Sequence, residues 1–259
     1  KHWHFHPREF IKHFRKCGWL SKSDVVSLVR NVDKLTITRP TITSYLENAL
    51  PITAKGGRPQ GLHIPLQKMM RKYGIASSLR TAHLFGQLIE ETGRLESMIE
   101  KGGSSYFDKY EPGTDQGTKL GNTEIGDGVR FKGRGIIQIT GRTNYENFGK
   151  FKGNSNLYLT DAGSSLLATD ASLTCDASGY YWISKQRYSM SNKKLVSMGK
   201  LGISSWADQG TQEDDARQVT RCINPAQYHF SELRWPGFLH AWHAVNDAAI
   251  SPNEFKRIK

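Results

Sequence analysis

The chain has 259 residues, 37% hydrophobic and 10% aromatic, enough to bury a core without disulfides and too apolar for a disordered polypeptide. Its 36 Lys and Arg against 24 Asp and Glu give a net charge of +12, which favours polyanionic surroundings such as cell walls, nucleic acids or acidic lipid surfaces. No zinc finger, RNA-binding sheet motif or run of five basic residues supports nucleic acid, and no apolar run approaches the roughly 18 residues of a membrane span.

Residues 1–20, KHWHFHPREFIKHFRKCGWL, are dense in aromatic and basic side chains, and Ser21 with Asp24 resembles a capping box, so two short helices are expected here. Between 31 and 61, Pro40, Pro51, Pro59 and the Gly56-Gly57 pair break regular structure except for a short helix around 45–50. That stretch marks a boundary: residues 1–60 read as an accessory segment packing on a main body of 61–259. Leu62, Leu66, Met69, Met70 and Tyr73 recur at helical spacing and stop at Gly74. A second helix begins near Ser78 with Leu79, Ala82, Phe85 and Ile89 on one side. Residues 102–135, rich in glycine and charge, read as loop with short strands at most. Further helices are expected at about 143–149, 169–185, 211–223 and 227–246. Cys17, Cys175 and Cys222 fit neither a disulfide framework nor a zinc cluster and read as buried thiols. The chain begins with Lys1 and no apolar signal core, which reads as a segment of a longer polypeptide.

The informative stretch is 85–145. Gln87, Glu90, Glu91, Thr92 and Gly93 close an apolar helix, and a carboxylate there faces the negative end of the helix dipole, which favours its protonated form. Burial beside Phe85 or Ile89 raises its pKa further, as a proton donor to a glycosidic oxygen requires. Such hydrolysis needs a second carboxylate, for which Glu96, Glu100 and Glu111 are candidates. Nine residues make two and a half helical turns, so Glu91 and Glu100 can cooperate only if the helix breaks between them, and Gly93 allows that break.

These segments resemble glycoside hydrolase family 19, the chitinases and the related lysozyme-like phage endolysins. GQLIEETG is similar to the family's Gln-x-x-His-Glu-Ser/Thr-Gly segment, GDGVRFKGRGIIQITGRTNY to its Gly-Arg-Gly-x-Ile-Gln-Leu-Thr signature, and WADQGTQEDDARQVTRCIN to a later helix of the substrate cleft. The resemblance spans about 62–245. It implies a mainly α, lysozyme-like, two-lobed helical fold with a central substrate cleft and a small loop or strand region. It places Glu91 as general acid, and as base Glu100, with Glu111 as the alternative found at the plant-chitinase spacing. It also implies that Arg134, Gln138, Thr140, Asn144, Tyr145 and Asn224 serve the substrate cleft. An inverting muramidase acting on the glycan strands of peptidoglycan is expected, with a chitinase or a catalytically silent wall-binding module as alternatives. No cofactor or metal is implied. The chain departs from the pattern where Glu90 replaces a histidine, adding a like charge beside Glu91, and where Pro225-Ala226 replaces a glycine pair after Asn224.

The N-terminal HWHFHPREFIKHFRKCGWLS resembles a segment that precedes such domains in type VI secretion effectors. That implies delivery to a target-cell periplasm, a secretion-system carrier and an immunity protein. His2, His4 and His6 alternate and would share one face of a strand, which could bind a metal, although an aromatic plug built on Trp3, Phe5, Phe10 and Trp19 is the reading preferred.

Overall fold

A computed structural model describes residues 62–93, 97–191 and 194–245. The expected accessory segment with its helices, Cys17 and the alternating histidines lie outside the described residues. Helix α1 (His63–Lys72) leads through Tyr73 and Gly74 into α2 (Ser78–Glu91). The Ser77 hydroxyl accepts from the Arg80 amide and starts α2, whose residues from Thr81 to Ile89 are all buried. Its end is equally well defined. The Thr92 hydroxyl donates to Leu88 O at 2.8 Å, and Gly93 turns the chain away at φ +54°, a left-handed conformation that suits a residue without Cβ.

The stretch expected to be loop instead contains three short helices: a 3-10 helix (Ser104–Tyr110), α3 (Asp115–Leu120) and α4 (Asp127–Arg130). Each is too short to stand alone and is held by side chains from elsewhere. Thr114 caps α3 by accepting from the Gly117 amide at 2.9 Å. Asp127, fully buried, receives two bonds from the Arg142 guanidinium, at 2.7 and 2.8 Å, and two from the amides of Thr123 and Glu124. Burial opposes its ionisation, but these donors prevail and hold its carboxyl below the usual range. With a depressed folded pKa, this contribution to stability is present above the ordinary Asp range and is lost as pH falls through the folded value.

Helix α5 (Arg142–Phe151) follows, then α6 (Asp161–Thr169), α7 (Ala171–Ser184), an antiparallel hairpin of β1 (Gln186–Ser191) and β2 (Lys194–Leu201), and α8 (Ser204–Ala207). Helix α9 (Glu213–Ile223) begins with Asp215 accepting from the Gln212 amide, and a π-helical turn (Phe230–Arg234) runs into α10 (Trp235–Val245). The structure is therefore mainly α, as expected, with the hairpin, α6 and α8 as additions to the sequence reading. Cys175 and Cys222 are buried free thiols, also as expected.

Two apolar clusters form the core. The larger joins α1, α2, α7, α9 and α10 through Leu66, Phe85, Leu88, Trp182, Val219 and Phe238. The smaller gathers Phe131, Ile139, Tyr145, Phe148, Tyr158 and Leu167. Helices α2 and α10 approach closely enough that a Cβ on Gly86 would lie 2.9 Å from both Arg234 O and Phe238 Cβ. On the other helix, a Cβ on Gly237 would lie 3.1 Å from Ile89 Cγ2. The crossing therefore leaves no room for a side chain at position 86 and little at 237, and it fixes α2 against the residues that enter α10.

Candidate active site

Glu91 is the last residue of α2 and its side chain is only 13% exposed. Its Oε1 accepts from Arg234 Nη2 at 2.6 Å, and Arg234, itself 1% exposed, donates from Nη1 to Gln87 Oε1 at 2.7 Å and from Nε to Tyr228 O at 3.1 Å. Gln87 Nε2 then donates to the Thr220 hydroxyl on α9 at 3.0 Å. Burial pushes the Glu91 carboxyl above its ordinary range; Arg234 opposes the shift, while the charges of Glu90 and Glu100 add to it. A buried carboxyl that favours its proton but keeps a fixed orientation is suited to proton donation.

The like charge expected from Glu90 is present, and it has a partner. Glu90 Oε1 lies 2.6 Å from Nδ1 of His229, whose side chain is exposed and whose backbone has a left-handed φ of +52°. The hydrogen bond to Glu90 raises the His229 pKa. The contact thus contributes fully below the ordinary His range and fades as pH rises through the raised folded value.

Past the break, the chain returns as a strand-like segment. Ile99 bridges Arg134, and Arg134 bridges Ile139. Within this small ladder the Glu100 amide donates to Gly133 O at 2.8 Å, and Gly133 N donates back to Glu100 Oε2 at 2.9 Å. The Tyr110 hydroxyl donates to Glu100 Oε1 at 2.9 Å. The carboxylate is thereby fixed on both oxygens, on a different element from Glu91 yet close enough to act on its ionisation.

Glu111 sits differently. Its two oxygens accept from the amides of Gly126 and Gly128, at 2.8 and 3.1 Å, where they satisfy donors left open at the start of α4. Glu100, and not Glu111, is among the main charges acting on Glu91.

Gln138 and Thr140 gather beside Glu100 at Gly133. A Cβ placed on Gly133 would lie 2.8 Å from Gln138 Oε1, 3.1 Å from Glu100 Oε2 and 3.2 Å from Thr140 Oγ1, so three oxygens converge on one small space that only glycine leaves open. Gln138 adopts φ +54° and donates from Nε2 to Gly135 O at 2.9 Å. Asn144 Nδ2 donates to Thr140 O at 2.7 Å.

Arg134 and Tyr145 lie beneath this group and not on an accessible wall. Tyr145 is wholly buried, its hydroxyl donating to Lys132 O at 2.7 Å and accepting from Arg134 Nη1 at 2.9 Å. Burial pushes its phenol up to about 12, with Arg134 opposing and Glu100 adding to the shift. Both residues therefore support the ladder, because a ring without accessible surface cannot meet a sugar. Asn224 ends α9, where its amide donates to Thr220 O and its carbonyl accepts from Gln227. Among the described residues no hydrogen bond joins its side chain to Gln138, Thr140 or Asn144.

Arg234 and Thr220 are absent from the residues singled out by sequence, and Gln87 is named there only as part of the helix end. The signal that could have found the first is its position as a lone cation ahead of the apolar WPGFLHAW. A guanidinium beside a buried helix must find a buried anion.

The family model described as chitinase class I matches residues 76–226, more than half of the chain. Among solved structures, chitinase C from Streptomyces griseus is 18% identical with a TM-score of 0.54 over 82% of this chain and 94% of that one. A mutant of chitinase C gives 16% identity and the same TM-score and coverage. A bacterial family 19 chitinase gives 14% and 0.53 over 81% of this chain and 95% of that one. No curated protein sequence matches the chain. Likenesses at this identity establish the fold, while the family match covers the helix of Glu91, the ladder of Glu100 and the Gly-Arg-Gly segment together, and the chain belongs to glycoside hydrolase family 19.

Proposed function

We propose that this glycoside hydrolase is a muramidase that cleaves β-1,4 bonds between the amino sugars of peptidoglycan with inversion. The observation that carries the mechanism is the pairing of a buried, proton-favouring Glu91 at the end of α2 with Glu100 held across the helix break by Gly133 and Tyr110. Glu91 protonates the leaving oxygen while Glu100 takes a proton from a water attacking the opposite ring face. The space above Gly133, edged by Glu100 Oε2, Thr140 Oγ1 and Gln138 Oε1, suits the orientation of that water. Asn144, bonded to Thr140 O, is assigned to the sugar's N-acetyl group in this reading.

The net charge of +12 favours an anionic wall polymer over neutral chitin. Chitin remains the second reading, supported by the class I chitinase description of the matching family. Delivery to a target-cell periplasm, with a carrier and an immunity partner, is the setting in which such a wall hydrolase acts on competitors. Residues 1–60 belong to this proposal as the accessory segment. Mass spectrometry of fragments released from purified peptidoglycan, run beside chitin oligomers, tests it. Muropeptides with reducing N-acetylmuramic acid and an inverted α-anomer at first appearance are expected. Release of sugars from chitin alone would reject the muramidase assignment.

Glu100→Gln should lower the cleavage rate by about 10²-fold or more, the usual loss for a positioned base. Glu111→Gln should leave the rate within roughly a few-fold and lower thermal stability instead, because it weakens only the anchoring of α4, about 1–3 kcal/mol for hydrogen bonds to a charged group. Turnover and melting temperature of the two variants decide the matter; a large rate loss in Glu111→Gln with normal rates in Glu100→Gln would reverse the assignment.

A further inference from the structure

The 3-10 helix Ser104–Tyr110 does more than supply the hydroxyl that orients Glu100. Lys109 Nζ lies 3.4 Å from the centroid of the Tyr106 ring and 4.8 Å from that of Tyr110. Tyr106 is 45% exposed, braced edge-to-face on buried Phe107 at 5.2 Å. It is also pressed against the backbone, since a Cβ on Gly102 would come within 2.5 Å of its ring. Lys132, which precedes the Gly133 that binds Glu100, sits similarly with Nζ 5.1 Å from the Phe107 ring. Two ammonium groups thus flank the Glu100 side of the site, each seated on an aromatic face that limits its wandering.

Neither forms an ion pair among the described residues. Lys72, Lys150 and Lys152 do: they pair with Asp176, Glu146 and Asp176 at 2.5, 2.7 and 2.9 Å. A neutral glycan offers such a cation only hydroxyl and carbonyl acceptors, whereas a carboxylate on the sugar chain adds the opposite charge.

We propose that Lys109, held on Tyr106 and Tyr110, is a specificity-determining residue that binds a carboxylate borne by the glycan next to the cleaved bond, with Lys132 reinforcing the field. The inference rests on the peptidoglycan reading above. The carboxylate has two sources: the lactyl group of a muramic acid freed of peptide, or the acids of an attached stem peptide.

The test measures kcat and KM of wild type, Lys109→Gln and Lys109→Arg on soluble glycan chains with stem peptides, on chains stripped to the free lactyl acid, on both after reduction of carboxyls to alcohols, and on chitin oligomers. Wild type should prefer a carboxylated chain over its reduced form by about tenfold, through KM, and Lys109→Gln should collapse that preference to under about twofold. Lys109→Arg should retain most of it, since the charge remains. Preference on the stripped chain assigns the lactyl acid, and preference confined to the peptide-bearing chain assigns the stem. An undiminished preference in Lys109→Gln overturns the proposal, as does a loss equal on carboxylated, reduced and chitin substrates, which would mark a structural role. Wild-type cleavage of peptidoglycan chains with no carboxylate preference overturns this inference alone; cleavage of chitin oligomers with none of either peptidoglycan chain overturns it together with the muramidase reading.

Discussion

Glu91→Gln should reduce glycan cleavage by at least about 10²-fold while the protein melts no lower than wild type at neutral pH. The amide keeps the shape of the carboxyl but has no proton to donate to the departing oxygen. The stability half follows from the sign of the shift. Burial raises the Glu91 pKa in the folded state in spite of Arg234, so the folded protein binds this proton more tightly than the unfolded chain. Stability therefore declines as pH climbs from the ordinary Glu range to the folded value, and a neutral amide escapes that decline. Steady-state rates and thermal unfolding of the same preparation check both halves. Retention of more than about a tenth of the wild-type rate would remove Glu91 from the role of general acid.

Arg234→Met should be the most destabilising of the site substitutions and should also shift the pH profile. Arg234 is buried and its guanidinium serves Glu91, Gln87 and Tyr228 O together. Its removal leaves three acceptors open at once, that of Gln87 buried and those of Glu91 and Tyr228 partly buried. An acceptor left without its donor costs about 1–3 kcal/mol where it is buried, so the three together lower the melting temperature by on the order of 10 °C for a body of this size. In the fraction that folds, Glu91 loses the charge that lowers its pKa. Its pKa must then rise further, and because a general acid works while protonated, the alkaline limb of kcat/KM should move to higher pH. Arg234→Lys should recover part of the stability but not all of it, since an ammonium cannot reproduce the three-way planar fork. Calorimetry with a pH–rate profile tests the pair of effects; a profile unmoved in Arg234→Met would show that Arg234 is structural only.

Residues that act through neighbours in sequence were legible, and those that act through distant ones were not. Helix α2 could be read with its end because Leu79, Ala82, Phe85 and Ile89 carry the period and Gly93 the turn. The break that frees Glu100 from α2 followed from arithmetic on nine residues. The short helices between 104 and 130 could not be read, because their stability resides in Glu111 reaching Gly126 and Gly128 and in Asp127 reaching Arg142. Without those contacts the local sequence does resemble loop. Helix α6 was hidden by Gly163, Ser164 and Ser165, weak helix formers held by the Thr160 cap. Arg234 lies 143 residues from Glu91, and no periodicity connects them. Tyr145 is wholly buried, which its place in a cleft motif does not reveal.

The two glycines at the crossing of α2 and α10 connect shape to proton affinity. A side chain at position 86, five residues before Glu91 on α2, would meet the carbonyl oxygen of Arg234 and Cβ of Phe238, each 2.9 Å away. A methyl group there would push the arginine's backbone outward, lengthen its reach to the carboxyl and so weaken the acid. Interhelical spacing is thus a setting for acid strength, written in the absence of a single methyl. Variation at position 86 would then alter the pH at which the enzyme works best before it altered what the enzyme cuts.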